Sequence, residues 1–329
     1  MTIRRRIAIA IPARNEGVRL GSCLERIAGL RIDQRVIALS VVVVANNCRD
    51  ATAECVRAFA AGWERPCRVI EVELASERAH AGWARRLAFD AAADELVAAT
   101  DVLLSTDADT QVTPEWLLAN LNHLEQGYDA IAARTRFDER ERRRLPRHLR
   151  SRLAAIRSYE NALAYLRTMQ EPSEPWPRHF DEGGASLCLT LGTYRRIGGA
   201  PTPSLGEDRA LFDAIRQVGG FVRHPLDVHA LTSPRLCGRA GGGASDTLSR
   251  WDTQAERAAI AGLMGIEAAL GDLHGDQALL SFETLPVEAK RARALVAAAR
   301  RRMRASNPAP KVEPVGLVAL GMLDADVAA

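Results

Sequence analysis

The stretch Val-Leu-Leu-Ser-Thr-Asp-Ala-Asp, residues 102–109, decides how this chain is interpreted. Its apolar half is typical of a buried strand, and Asp107 and Asp109 follow where that strand ends. With one residue between them, the two carboxylates can share Mg²⁺ or Mn²⁺, whose remaining ligands are commonly substrate phosphates. The stretch thus predicts a metal site for a nucleoside diphosphate. A loop with two ordinary turn carboxylates is the alternative that it leaves open.

The segments around this stretch alternate between strand and helix patterns. Thr113 and Pro114 open a helix with a capping residue and a first-turn proline. Strands that alternate with helices predict an α/β fold, in which a mostly parallel sheet is covered on both faces. Apolar runs and helical spacing predict strands over 7–11, 36–44, 68–74 and 101–105, and helices over 18–30, 51–61 and 82–93.

Polar loops follow three of these strands. They cover residues 12–16, 45–50 and 107–111. In sheets of this kind, ligands bind outside the carboxyl ends of the strands. We therefore expect the three loops to form one site.

Composition limits the classes of protein that the chain can belong to. It has 329 residues, 47% of them apolar, and a formal net charge of only +3, so no overall field favours nucleic acid. The six cysteines show no C-x-x-C pair and no metal-finger spacing, which favours free thiols in a reducing cytoplasm. No apolar run approaches the length of a transmembrane helix. We expect a soluble, cytoplasmic protein without a transmembrane segment, and the sequence leaves its oligomeric state open.

The strand pattern fades near residue 238, which predicts three parts. Residues 1–235 form the α/β domain, residues 236–306 a glycine-rich loop with a helical extension, and residues 307–329 a flexible tail. Within the first part, the charged segment 138–152 leads into a long helix that ends near Met169. A solvated helix face explains these charges, and attraction of an anionic acceptor is the alternative.

Several motifs together resemble the family 2 glycosyltransferases with the GT-A fold, over roughly residues 5–235. Each motif is short, but their order and spacing are specific. The match consists of Ile11 to Glu16 after the first strand, Asp107 to Thr110, Gly198 with Gly199, and Gly206 to Asp208.

The resemblance implies a nucleotide-sugar donor and a divalent metal, Mg²⁺ or Mn²⁺. Asp109 is then the first metal ligand, and Asp107 the second contact, either to the metal or to the ribose. Asn46 and Asn47 stand where the family commonly has two acidic residues, so the donor base is not assigned. The donor-binding residues implied by the resemblance are Pro12, Ala13, Arg14, Glu16, Asn47, Arg85, Asp107 and Asp109.

The resemblance also implies which residues catalyse the transfer. Glu207 and Asp208 precede a helix predicted over 209–218, whose N-terminus is expected to keep a carboxylate ionised. Asp208 is then the general base, which takes a proton from an acceptor hydroxyl while the anomeric centre inverts. Helix capping is the structural alternative for this acidic pair.

Other residues are expected around the acceptor and the diphosphate. Arg239 and Arg250 belong to a basic segment interpreted as a lid over the diphosphate. His224 and His229 are either a third metal ligand or structural histidines. The acceptor-side residues implied by the resemblance are Glu182, Gly183, Gly184 and Trp251, the last of which is otherwise a core residue.

The sequence therefore predicts transfer of one sugar to a hydroxyl of a small-molecule, glycan or lipid acceptor. A retaining enzyme of the glucosyl-3-phosphoglycerate synthase kind is one alternative, and a nucleotide-binding partner subunit without catalysis is another. A nucleotidyltransferase is disfavoured, because no glycine-rich, lysine-containing phosphate loop follows the first strand. Fold analogy does not fix the donor or the acceptor.

Overall fold

The computed structural model describes residues 4–169, 174–238, 243–270 and 279–306. Its helices, numbered along the chain, are α1 (Gly17–Ala28), α2 (Thr52–Ala61), α3 (Ala81–Ala93), α4 (Trp116–Glu125), α5 (Glu139–Arg142), α6 (Arg147–Thr168), α7 (Leu191–Arg196), α8 (Glu207–Gln217), α9 (Ala244–Thr253), α10 (Ile266–Ala269) and α11 (Leu285–Ser306). Its strands are β1 (Arg5–Ala13), β2 (Ile37–Asn46), β3 (Cys67–Val72), β4 (Val102–Ser105), β5 (Gln111–Val112), β6 (Ala130–Ala132), β7 (Arg134–Phe137), β8 (Leu187–Thr190), β9 (Val222–Arg223), β10 (His229–Thr232), β11 (Ala259–Met264) and β12 (Leu279–Ser281).

The central sheet has seven strands in the order β3-β2-β1-β4-β8-β6-β9. Strands β1 to β4 run parallel to one another, while β8 is antiparallel to both β4 and β6. A smaller sheet in the order β5-β10-β7 lies beyond the carboxyl end of β4. The three loops of the predicted site follow β1, β2 and β4, so they lie at the carboxyl ends of the parallel strands.

Each face of the central sheet is covered by helices. In β1, alternate side chains enter different cores, because successive residues of a strand point to opposite faces. Ile7, Ile9 and Ile11 pack in one core with residues of α1, α2 and α4. Ala8 and Ala10 pack in the other with residues of α3, α7 and α8. This two-sided burial explains why the strands are continuous apolar runs in the sequence.

The elements predicted from the sequence up to β4 are confirmed, with ends that differ by a few residues. Two further helices also begin at a different residue. The helix expected at Thr113 begins at Trp116, whose N–H donates to the Thr113 carbonyl. Helix α8 begins at Glu207 rather than Arg209, so the acidic pair lies in its first turn.

The C-terminal part has its own apolar cluster. Residues of α6, α10, α11 and the β11-β12 pair form it, and Trp251 of α9 packs against it. The sequence predicted helices only after residue 238, but β11 and β12 form a two-stranded antiparallel sheet. Because α6 supplies core residues, this part is built from two separate stretches of chain. None of the described helices is long and apolar enough to cross a membrane.

Leu104→Ala tests the core beneath the site. Leu104 is completely buried in β4, three residues before Asp107. Its truncation is expected to lower the free energy of unfolding by about 2–5 kcal/mol, because it removes buried contacts and leaves a cavity. Leu205→Ala is the matched control, since Leu205 is 60% exposed, and its effect is expected to be about 0.5 kcal/mol or less. Equal effects in urea denaturation would contradict this arrangement.

Candidate active site

Hydrogen bonds join the loops after β1 and β2. The N–H of Glu16 donates to Thr52 Oγ1 over 2.9 Å, and the N–H of Gly17 donates to Asp50 Oδ2 over 3.0 Å. In the other direction, the N–H of Arg49 donates to Asn15 Oδ1 over 2.7 Å. The two loops are therefore one unit at the edge of the sheet, as the sequence predicted.

Two expected donor-binding side chains hold the segment that follows β3. Arg14 Nη1 donates to the Ala79 carbonyl over 2.8 Å. Asn47 exchanges hydrogen bonds with the backbone of Leu74, at 2.9 and 3.2 Å. Pro12 and Ala13 lie in β1, beside the end of β2. These residues lie at the edge of the sheet where the site was predicted. Their binding of a donor stays a prediction.

Arg85 joins three of the predicted motifs. It lies on α3 and is only 4% exposed. Its guanidinium donates to Asp107 Oδ1 over 2.8 Å, to Glu207 Oε1 over 3.3 Å and to the Gly184 carbonyl over 3.1 Å. Although burial alone would favour loss of the proton, Asp107 and Glu207 hold the pKa of Arg85 above its ordinary value. Sequence reasoning expected Arg85 at the diphosphate, whereas the structure uses its guanidinium to bring protein segments together.

Gly184 has no room for a side chain. A Cβ atom at this position would overlap the Arg85 guanidinium, which lies against the backbone. The family resemblance placed Gly183 and Gly184 on the acceptor side. For Gly184, the structure gives Arg85 as the group that approaches. Gly183 has more space, with Thr135 Oγ1 3.4 Å from the place of its Cβ.

Asp109 lies at a polar cavity of about 300 Å³. Arg235 forms ion pairs with two acids here. Its Nη2 lies 2.8 Å from Glu16 Oε1 and 3.2 Å from Asp109 Oδ2. We name this space the donor cavity. Its lining residues are Val18, Arg19, Ser22, Asp109, Gln111, Asp138, Glu141, Leu231, Thr232 and Ser233.

The charges around Asp109 suit an additional cation. Burial, the nearby Asp107 carboxylate and Glu16 raise the pKa of Asp109 to about 6, even though Arg235 opposes the shift. A divalent cation relieves such a surplus of carboxylate charge. In the described parts of the chain, no three His, Cys, Asp or Glu side chains are grouped closely enough to form a complete cation site. The residues therefore fit a cation that takes further ligands from water and a diphosphate.

Asp208 is held at the start of α8. Gly206, at φ +73°, precedes the helix in a left-handed conformation that favours glycine. Asp208 Oδ2 accepts a hydrogen bond from the N–H of Gly184 over 2.9 Å. Burial, followed by the charge of Glu207, raises the pKa of Asp208. Arg85 and the N–H of Arg209 in the first turn of α8 oppose this shift.

Glu182 belongs to a buried network around His224. His224 Nε2 lies 2.9 Å from Glu182 Oε1, and its Nδ1 lies 2.9 Å from Glu174 Oε2. Although burial opposes the charged form, these carboxylates raise the pKa of His224. Arg216 of α8 also pairs with Glu182. These contacts agree with a structural histidine, which was one of the two alternatives for His224, the other being a metal ligand.

Three residues after β10 were expected near the substrates: Trp251 at the acceptor, and Arg239 and Arg250 in the lid. Trp251 packs edge-on against Phe282, with ring centroids 6.4 Å apart, in the C-terminal cluster. This is the core position that was its alternative interpretation. Arg250 donates to Thr247 within its own helix. Arg239 lies outside the described residues, so the lid stays a prediction.

Sequence reasoning missed two residues of the site. Arg235 follows β10 and reaches Glu16 and Asp109, and Glu174 accepts hydrogen bonds from the backbone and ring of His224. Neither lies in a motif. The only sequence feature that could have indicated Arg235 as a site residue is its position just after a strand that ends near the site.

Solved structures similar to this chain share its fold. The mannosyltransferase PcManGT from Pyrobaculum calidifontis, in complex with GDP-Man and Mn²⁺, has a TM-score of 0.50 and 20% identity, and the match covers 93% of this chain and 80% of that one. TarS from S. aureus, in complex with UDP-GlcNAc, has a TM-score of 0.50 and 12% identity, with coverages of 92% and 76%. Another TarS structure, with UDP, matches at a TM-score of 0.46 and 15% identity over 70% of this chain, which spans 61% of that one. No curated protein matches the chain.

The mainly parallel sheet and the two matches at a TM-score of 0.50 define a GT-A fold. The model of the glycosyl transferase family 2 matches residues 8–189. The chain belongs to this family, and it is a glycosyltransferase. The family resemblance noted in the sequence is therefore confirmed.

Arg85→Gln tests whether the guanidinium holds the site together. Its loss leaves Asp107 and Glu207 without their shared partner, and we expect the free energy of unfolding to fall by about 3–5 kcal/mol. The neighbouring Arg86→Gln is the control, because Arg86 forms a partly exposed pair with Asp90 that contributes about 0–1 kcal/mol. Similar losses in denaturant titrations of the two variants would show that Arg85 has no special structural role.

Proposed function

We propose that the protein transfers one sugar from a nucleoside diphosphate sugar to an acceptor hydroxyl, with inversion of the anomeric centre. The observation that carries this proposal is the meeting of Asp107, Glu207 and Gly184 on the Arg85 guanidinium. It brings together the expected metal loop, the expected catalytic pair and the expected acceptor loop. A donor bound beside Asp109 thus has a carboxylate base nearby.

The donor cavity is proposed to receive the nucleoside diphosphate. Asp109 would hold a divalent cation, Mg²⁺ or Mn²⁺, with Asp107 as the second contact. When bound, this cation would neutralise charge on the departing diphosphate. Arg235 lies within reach of the same space, and its guanidinium is suited to a phosphate oxygen. The relatives crystallised with nucleotide sugars support a donor of this class.

Asp208 is proposed as the general base. Its pKa is raised, mainly by burial, which strengthens the carboxylate as a base for a sugar or alcohol hydroxyl. The N–H groups of Gly184 and Arg209 each donate to one carboxylate oxygen of Asp208, and each oxygen keeps a further lone pair for the acceptor. Glu207, held by Arg85, positions the first turn of α8.

The acceptor is proposed to approach along residues 182–184. Glu182 is fixed by His224 and Arg216, and a Cβ atom at Gly183 would only touch Thr135 Oγ1, at 3.4 Å. A small molecule, a glycan or a lipid fits this description. The cytoplasm is proposed as the compartment, since all six cysteines are free thiols.

Asp109→Ala is expected to abolish metal-dependent binding of the nucleoside diphosphate, because it removes the first proposed cation ligand. Calorimetric titration with each nucleotide, in Mn²⁺ and in EDTA, measures the effect. Asp33→Ala is the control, because Asp33 pairs with Arg35 on an exposed loop. Unchanged metal-dependent affinity in Asp109→Ala would remove this residue from the metal site.

Asp208→Asn is expected to leave nucleotide binding intact while transfer falls by about two orders of magnitude or more, the usual weight of a general base. The measurement is the release of nucleoside diphosphate from the donor in the presence of acceptor. Asp213→Asn, on the same helix and exposed to solvent, is the matched control. Retained transfer would indicate another base or a retaining mechanism, and the anomeric configuration of the product separates these two.

A further inference from the structure

A second cavity, of about 730 Å³, lies between α6, α11 and the segment 174–178. Among the described residues that line it, none is acidic and five are arginines. We name it the arginine cavity, after Arg134, Arg178, Arg293, Arg300 and Arg301. A space of this size accommodates a small organic ligand.

Most of these guanidinium groups are not paired directly with a carboxylate in the described residues. Arg178 pairs with Glu174 at 3.0 Å. Within the described part of the chain, the other four arginines form no ion pair with a carboxylate. Arg134 donates to the Asn161 side-chain oxygen over 2.7 Å, and Arg293 donates to Ser158 Oγ over 2.7 Å.

Arg134 is half-buried and lies close to other cations. Burial and the neighbouring cations Arg157 and Arg136 lower its pKa, while Asp181 and Glu160 oppose this shift. The net effect is repulsion between Arg134 and its cationic neighbours. A bound anion would relieve this repulsion, whereas a neutral ligand would not.

One wall of the cavity is aromatic and apolar. Tyr165 and Trp176 meet edge to face, with ring centroids 5.0 Å apart, and Trp176 is 38% exposed. Arg300 lies over the Tyr165 ring at 4.7 Å. Leu226 and Val296 complete the apolar surface. A ligand that fills this space needs an apolar or aromatic portion beside its anionic group.

We propose that the arginine cavity binds an organic phosphate at a site separate from the donor cavity. A phosphate monoester carries a charge close to two and three acceptor oxygens. It matches several guanidinium forks better than a single carboxylate does. The same chemistry occurs in a soluble phosphate ester and in the headgroup of a lipid.

The position of the cavity supports a separate site next to the acceptor side. It shares no lining residue with the donor cavity. Arg134 is followed in β7 by Thr135, which borders Gly183 of the expected acceptor loop. The ligand and Asp208 would therefore lie on opposite sides of this loop. Binding of the ligand would need neither nucleotide nor metal.

Two probes test the proposal on the full chain without nucleotide. Phenyl phosphate, titrated by calorimetry, represents a soluble ester, and flotation with phosphatidylcholine vesicles, with and without phosphatidic acid, represents a lipid headgroup. The variants are Arg134→Gln and the double variant Arg300→Gln/Arg301→Gln. The control is Lys290→Gln/Arg195→Gln, which removes the same charge from exposed positions outside the cavity.

We expect saturable binding of one probe that weakens by about tenfold or more in both cavity variants and is unchanged in the control. Phenyl phosphate binding identifies a soluble ester, and vesicle binding that requires phosphatidic acid identifies a lipid headgroup. The proposal is overturned if neither probe binds, or if the control weakens binding as much as the cavity variants. Asp109→Ala is expected to keep this binding, so that failure of the donor site is distinguishable from failure of the arginine cavity.

Discussion

A buried guanidinium requires anions, and in this protein that requirement organises the whole site. Arg85 is almost completely shielded from water, and an unpaired charge in such a place is very costly. Asp107 and Glu207 supply the counter-charges, although they lie far apart in the sequence. The sheet carries Asp107 and α8 carries Glu207, so their meeting on Arg85 fixes the helix against the sheet. The lack of a side chain at Gly184 completes this arrangement.

The acids of the site divide into two groups with different surroundings. Asp107 and Glu207 pair with Arg85, while Asp109 shares Arg235 with Glu16 and keeps a raised pKa. Asp208 is buried beside Glu207 and also has a raised pKa. Burial raises the pKa of Glu160 and Asp181 as well. Raised pKa values are common where acids take part in chemistry, but buried structural acids share them.

Most of the sheet and the place of the site could be predicted from the sequence, because both depend on local patterns. Continuous apolar runs predict strands buried on both faces, and the loops at their carboxyl ends then have to meet. The partners of Arg85 could not be predicted in this way, because a helical arginine has the same sequence signal whether it is buried or exposed. The network of Glu174, Glu182 and His224 joins residues about forty to fifty positions apart, and no local spacing indicates it. Strand β11 was missed because its half-exposed residues have no strict alternation.

The proposed transfer depends on Asp109 and the donor cavity holding a nucleoside diphosphate through a divalent cation. This binding is tested by the thermal stability of the protein with UDP, GDP, CDP, ADP or dTDP, each in Mn²⁺, Mg²⁺ or EDTA. At least one nucleotide is expected to raise the melting temperature with metal, and EDTA is expected to abolish the rise, because a ligand that binds only the folded state stabilises it. A well-folded protein whose melting temperature none of these combinations changes would show that the cavity does not bind a nucleoside diphosphate through a metal.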